Sequence, residues 1–222
     1  MNRIGLITIG QGPRDDVVAS MFDARPPAGL LQAGALDLLD DDAIGRLGPR
    51  PGDDPLVTRL GDGREVEIAE GRIVEHLQGA LDRVVDAGAG IVVVLCTGEF
   101  PELRSRVPII FPDRLLRGTV DALLPAGVLG VLMPHRGQGS LMSRKWATAT
   151  RSIACAVASP YTESSVLAMR ARELASRDVD LIVMDCMGYD RRMKSAVAAA
   201  VGLPTMLANR LVGRIVEEIA ER

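Results

Sequence analysis

Two stretches of the chain end in the same way, and that repeat constrains the fold more than any other feature. Ile91–Glu99 reads I-V-V-V-L-C-T-G-E, and Leu181–Gly188 reads L-I-V-M-D-C-M-G. Laid on the first without a gap, the second stretch superposes Cys186 on Cys96 and Gly188 on Gly98. Residues 91–96 are apolar without a break and mostly β-branched. Such a run is too short for a membrane span and reads as a strand buried on both faces. The apolar run stops at Cys96, so the thiol falls where a buried strand emerges. That is the edge at which open parallel sheets place their ligands.

The surroundings repeat as well. A polar, helix-like segment precedes each copy, Gly71–Asp86 in one case and Thr162–Arg177 in the other. A proline-led strand and a closing helix follow each: Pro108–Phe111 with Asp113–Leu124, and Pro204–Ala208 with Asn209–Glu221. Ile4–Ile9 reads as a strand that runs into Gly10-Gln11-Gly12-Pro13-Arg14 and a helix ending near Met21. Gly127–Met133 corresponds to it and ends in Pro134-His135-Arg136-Gly137-Gln138-Gly139. Pro13 suits a first helical position, and Asp15 and Asp16 suit a first turn. Free amides at such a helix start would make a generic anion site. It is not a dinucleotide fingerprint, because Asp15 stands where a third Gly or Ala is needed.

Between these landmarks, Leu30–Leu36 reads as a strand and Asp40–Arg46 as an acidic helix. Leu56–Leu60 and Glu65–Ala69 flank Gly61-Asp62-Gly63, a hairpin signal, here an insertion on the first half. Ile73, Leu77, Leu81 and Val84 share one face of the helix before Cys96. Pro101 opens a short helix, Ser140–Ala149 is another, and Ile153–Ala158 is a strand containing Cys155, read as core. Alternating β and α elements imply an α/β fold with mostly parallel sheets. The expected division is residues 1–120 plus a C-terminal helix at 206–222 for one half, and 121–205 for the other. Their strand ends face each other across a cleft.

Composition excludes several classes. Charge is near balance, with 26 basic and 29 acidic side chains among 222 residues, and aromatic residues are scarce. A nucleic-acid partner is not expected. The longest apolar tract, Ala122–Pro134, is broken by Pro125 and Gly127, so no membrane partner is expected either. Three cysteines do not make a disulfide framework; with no secretory signal, they suit free thiols in the cytoplasm. His76 and His135 lack ligand partners at helical spacing, and no metal or other cofactor is expected. A homodimer is the base-rate expectation for assembly.

Two thiols on opposite sides of a small molecule have a direct chemistry. One, as thiolate, removes a proton from a carbon next to a carboxylate, and the other returns a proton on the opposite face. This requires lowered thiol pKa values and donors for the carboxylate. Candidate donors lie at Thr97-Gly98, Met187-Gly188 and Gly10-Gln11-Gly12, with Arg14 and Arg136 as guanidinium candidates and Tyr189 close behind Gly188. Asp185, a carboxylate ending a buried strand, needs a partner or a role. It could raise the pKa of Cys186, which would favour a proton donor there. Trp146 reads as helix-face packing.

These residues resemble the AroM family, within the wider aspartate/glutamate racemase superfamily. Ile4–Asp16, I-G-L-I-T-I-G-Q-G-P-R-D-D, looks like the AroM signature. Gly10-Gln11-Gly12-Pro13 is similar to the Gly-Met-Gly-Pro loop of aspartate racemases. Cys96-Thr97 resembles the superfamily's first cysteine, and Cys186-Met187-Gly188 its second. The resemblance implies two Rossmann-like halves with pseudo-twofold symmetry and an active site between them. It also implies cofactor-independent racemases, isomerases or decarboxylases of small carboxylates. Two positions depart from the pattern: Asp185 stands where glycine is common, and no histidine follows Cys186. The leading expectation is a racemase or isomerase with Cys96 and Cys186 as paired acid and base. The alternatives are a thiol-dependent decarboxylase and a non-catalytic metabolite-binding module on the same fold.

Overall fold

The computed structural model of the chain describes residues 3–23, 25–161 and 163–220. Strand β1 (Arg3–Thr8) is buried in every residue after Arg3. Helix α1 (Asp15–Met21) follows, with Asp15 and Asp16 at its electropositive end. Pro13 is not its first residue, as the sequence suggested. Arg14 precedes the helix in a non-helical conformation, its amide held by Gln32 Oε1 at 2.8 Å. Strand β2 (Leu31–Gly34) and helix α2 (Asp41–Arg46) come next, the helix capped by the Asp40 carboxylate on the Ala43 amide. Strands β3 (Pro55–Arg59) and β4 (Glu65–Ala69) form the expected antiparallel hairpin. Helix α3 (Glu70–Asp86) buries Ile73, Leu77, Leu81 and Val84, the face its spacing gives.

Strand β5 (Ala89–Val94) then leads to the first cysteine. The helix expected at Pro101 does not form. Backbone groups there bond to side chains of flanking helices instead: Gln78 takes both the amide and the carbonyl of Arg104, and Arg114 the carbonyl of Phe100. Strand β6 (Ile109–Ile110) and helix α4 (Pro112–Leu123) close the first half.

The second half repeats the plan with strand β7 (Gly127–Met133), a 3₁₀ turn at Arg136–Gln138 and helix α5 (Gly139–Trp146). Strand β8 (Arg151–Val157), helix α6 (Ser164–Ala175) and strand β9 (Leu181–Met184) follow. Thr162, expected to open α6, lies outside the described residues. Helix α7 (Arg191–Val201) has no counterpart in the sequence reading. It is capped by Asp190 and ended by Gly202 at φ 68°. Strand β10 (Thr205–Leu207) and helix α8 (Ala208–Ala220) finish the chain.

The two large sheets are wholly parallel and ordered β2-β1-β5-β6 and β8-β7-β9-β10. They superpose strand for strand in chain order, which makes this an α/β fold of two Rossmann-like halves. β10 pairs with β9, while α8 packs on α1 and α4, so the C-terminal segment ties the halves together.

Alternate residues of each cysteine strand face different cores. Val93 and Leu95 join Leu129, Val131, Leu181 and Val183 in one cluster shared by the two halves. Val92 and Val94 pack outward with α3, and Ile182 and Met184 pack outward with α6. That is why both strands read as unbroken apolar runs. No helix among the described residues is long and apolar enough to cross a membrane.

Candidate active site

Each cysteine stands two residues past the end of its strand. The ladder runs one step further before it, with Leu95 N donating to Ile7 O and Asp185 N to Leu132 O. The chain then turns so that a glycine amide two residues on donates to the sulfur: Gly98 N to Cys96 Sγ at 3.3 Å, and Gly188 N to Cys186 Sγ at 3.4 Å. A donor aimed at sulfur favours the thiolate. Both half-buried thiols line one cavity of about 40 Å³. Thr97, Gly98, Met187, Gly188 and Arg14 line it too.

A buried polar cluster joins the two cysteine loops. Lys145 on α5 donates to both Asp185 oxygens at 2.9 Å and to the Thr97 carbonyl at 2.7 Å. Trp146 Nε1 donates to Asp185 at 2.8 Å, so Trp146 does more than pack. Thr97 Oγ1 donates to the Asp185 carbonyl at 3.2 Å, closing the link from the other side. Asp185 therefore has the partner it needs, on a side chain with no exposed surface. Asn209 on α8 braces the second loop by donating to the Met187 and Tyr189 carbonyls.

The thiols are not acidified as paired acid–base chemistry would want. Burial pushes Cys186 up to about 11, helped by the charge of Asp185 and opposed by the Gly188 amide, Arg14 and Lys145. Burial pushes Cys96 higher still, aided by Cys186 and Glu70. Asp185 raises the Cys186 thiol, as the sequence suggests, and burial raises both thiols most. Arg14 supplies the compensating charge. It grips Asp16 through Nε and Nη2 and donates to the Tyr161 hydroxyl at 3.3 Å, while its Nη1 makes no hydrogen bond among the described residues.

Several expected binding groups lie elsewhere. The amides of the Gly10–Arg14 loop are occupied by the protein itself: Gly10 by Thr8 Oγ1, Gln11 by the Arg59 carbonyl, Gly12 by Asp37 and Arg14 by Gln32. Gly10, Gln11 and Gly12 do not line the cavity. Gly10 and Gln11 dock the hairpin instead, while Gly12 packs on β2. A Cβ on Gly10 would sit 2.3 Å from Thr58 Oγ1, and Gln11 Oε1 accepts from the Gly61 amide at 2.7 Å. Arg136 is exposed, because the 3₁₀ turn rotates it outward and presents Gln138 inward. Tyr189 is fully buried with its hydroxyl on the Ala158 carbonyl, so it is core and not cavity wall. Cys155 packs against the shared core, away from the cavity. No group of three or more His, Cys, Asp or Glu suited to a metal ion occurs among the described residues.

Nothing in the sequence pointed to Tyr161, Gln138 or the hairpin residues Leu56, Val57 and Thr58 as site residues, yet all of them line the cavity. The hairpin roofs it. Gln138 Nε2 donates to the Pro55 carbonyl, Arg144 pairs with Asp54 at 2.5 Å, and Arg59 stacks 4.6 Å over the Tyr161 ring.

Comparison with solved structures places this fold among known ones. A glutamate racemase isoform from Bacillus anthracis matches with a TM-score of 0.63 at 12% identity, over 98% of this chain and 81% of that one. Allantoin racemase from Pseudomonas fluorescens matches with a TM-score of 0.58 at 13% identity, over 98% and 90%. An unliganded arylmalonate decarboxylase matches with a TM-score of 0.58 at 12% identity, over 99% and 93%. A search of curated proteins found no match. The sequence profile of the family described as AroM protein matches residues 4–220, nearly the whole chain, and the chain belongs to that family.

Proposed function

We propose that this protein is a cofactor-independent racemase or isomerase of a small carboxylate, with Cys96 and Cys186 as paired acid and base. The observation that carries this is the placement of both thiols on one cavity, each at an equivalent strand end with a glycine amide on its sulfur. In the forward step, the Cys186 thiolate takes a proton from the carbon next to the carboxylate. The C–H electron pair moves onto the carboxylate as an enolate. Cys96 then gives its proton to the opposite face and becomes the thiolate. Exchange with water resets the pair. Arg14 and the Tyr161 hydroxyl stand ready to hold the carboxylate and the charge that builds on it. Neighbours of the same fold named for glutamate racemisation support a small polar acid as the substrate class.

A second reading draws on the raised pKa of both thiols. A protonated thiol can quench the carbanion left by loss of carbon dioxide, a step that needs an acid and no thiolate. A neighbour named for arylmalonate decarboxylation shares the fold.

The test is turnover by the reduced protein on a panel of amino, hydroxy and malonic acids, following chirality and carbon dioxide release. Loss of chirality change in Cys96→Ser and in Cys186→Ser, with the melting temperature kept, is the expected result. Carbon dioxide release that depends on one cysteine only selects the second reading. Ligand binding that survives both substitutions, with no turnover in the parent, moves the assignment to a metabolite-binding module.

A further inference from the structure

One residue that lines the cavity carries a polar atom that the protein leaves unsatisfied. Gln138 is 5% exposed and lines the cavity. Its Nε2 donates to the Pro55 carbonyl of the hairpin at 3.0 Å. That bond fixes which way the amide faces, because a carbonyl needs a donor and the amide oxygen cannot serve. Oε1 is buried and has no hydrogen-bond partner among the described residues. Among the described residues, it is the one such side-chain atom on a residue of this cavity. Buried polar atoms are nearly always paired, so an orphan on a cavity-lining residue points to a ligand.

The remaining polar groups indicate what that ligand must be. Arg14 Nη1 and the Tyr161 hydroxyl proton are donors on residues that line the cavity. Those suit a carboxylate. Gln138 Oε1 is an acceptor and suits the opposite kind of group. We infer that the ligand carries a hydrogen-bond donor in addition to its carboxylate, an amino, hydroxyl or amide N–H group, and that Gln138 Oε1 selects it. This rests on the reading of the cavity as a small-carboxylate site. An acid with a methyl group in place of the donor leaves Oε1 dehydrated and unpaired, and is selected against on that account.

The test uses two matched sets: aspartate, malate and methylsuccinate, and phenylglycine, mandelate and 2-phenylpropionate. Dissociation constants are measured by calorimetry for the parent protein, Gln138→Met, Gln138→Glu and Arg144→Ala. Within at least one set, the donor-bearing acids are expected to bind about tenfold tighter, or more, than the methyl acid. Gln138→Met erases that ratio. Gln138→Glu keeps an acceptor and tilts the ratio towards the amino acid over the hydroxy acid. Arg144→Ala loosens the hairpin without touching Oε1 and leaves the ratio intact.

A Gln138 that only fastens the hairpin predicts something else: Gln138→Met weakens every member of a set equally and leaves the ratio unchanged. That result overturns the inference, as does equal binding of methyl and donor acids by the parent, or binding of none of the six. Failure of the two-thiol chemistry registers separately, as turnover unchanged in Cys96→Ser and Cys186→Ser while the donor preference persists.

Discussion

Lys145→Met tests the polar cluster that holds the two thiol loops together. Lys145 and Asp185 have no exposed side-chain surface, and the ammonium meets both carboxylate oxygens at 2.9 Å. Methionine keeps most of the volume and removes the charge. Asp185 is then buried with Trp146 Nε1 as its remaining side-chain donor, and the Thr97 carbonyl loses its partner. Breaking a buried pair from one side costs about 3–5 kcal/mol, because the surviving charge stays dehydrated. For a chain of this size each kcal/mol moves the melting point by about 2–4 °C, so a fall of roughly 6–20 °C is expected. Arg144→Ala, at the neighbouring exposed pair with Asp54, should change stability by about 1 kcal/mol or less. The assay is urea unfolding of both variants and of Lys145→Met/Asp185→Asn, in which a neutral amide replaces the stranded charge. The double variant should recover more than half the loss. A Lys145→Met change of less than about 1 kcal/mol, or a double variant no more stable than the single, would refute the reasoning.

Three further outcomes follow from the same geometry. With the Cys186 thiol pushed up to about 11, roughly one molecule in a thousand carries the thiolate at pH 8. Proton-transfer turnover should therefore climb about tenfold per pH unit from pH 7 to 9, and a plateau below pH 8 would show that the thiols ionise more readily than their burial allows. Burial raises Glu70 to about 7, so the folded chain binds a proton there that the unfolded chain has released. Stability should fall as pH rises from about 4.5 to about 7, and Glu70→Gln should flatten that fall in urea titrations at stepped pH. Gly10→Ala places a methyl group 2.3 Å from Thr58 Oγ1 and 2.4 Å from the Arg59 carbonyl. It should cost about 1–3 kcal/mol and speed amide exchange in the β3–β4 hairpin; unchanged exchange would mean the loop does not seat the hairpin.

The duplicated strand ends were legible because burial on both faces leaves an unbroken apolar run in one dimension. Cys96 and Cys186 could be found from that alone, whereas the glycines two residues on, read as donors for a carboxylate, aim their amides at the sulfurs. The hairpin was equally plain from Gly61-Asp62-Gly63, but its position over the cavity was not, since that depends on Gln11, Gln138 and Arg144 reaching across from distant parts of the chain. The Gly10–Arg14 loop misled for a related reason. Its glycines correctly marked a tight turn, yet whether the amides were free depended on Gln32, Asp37 and Arg59. Lys145 carried no signal in the sequence, since its partner Asp185 lies 40 residues further along the chain. Helix α7 went unread because its run is alanine-rich and buries Val197 alone, so the apolar period is faint even with Asp190 and Gly202 marking its ends.

The central claim is that two thiols work from opposite faces of one carbon. The most direct measurement starts from a single enantiomer of a turned-over acid in heavy water and follows deuterium in each enantiomer separately by NMR. Two thiols that do not share protons put deuterium into the product enantiomer as it forms and leave the recovered starting enantiomer unlabelled at early times. Deuterium in both enantiomers from the outset, or in a Cys96→Ser protein that still racemises at the parent rate, would contradict the account.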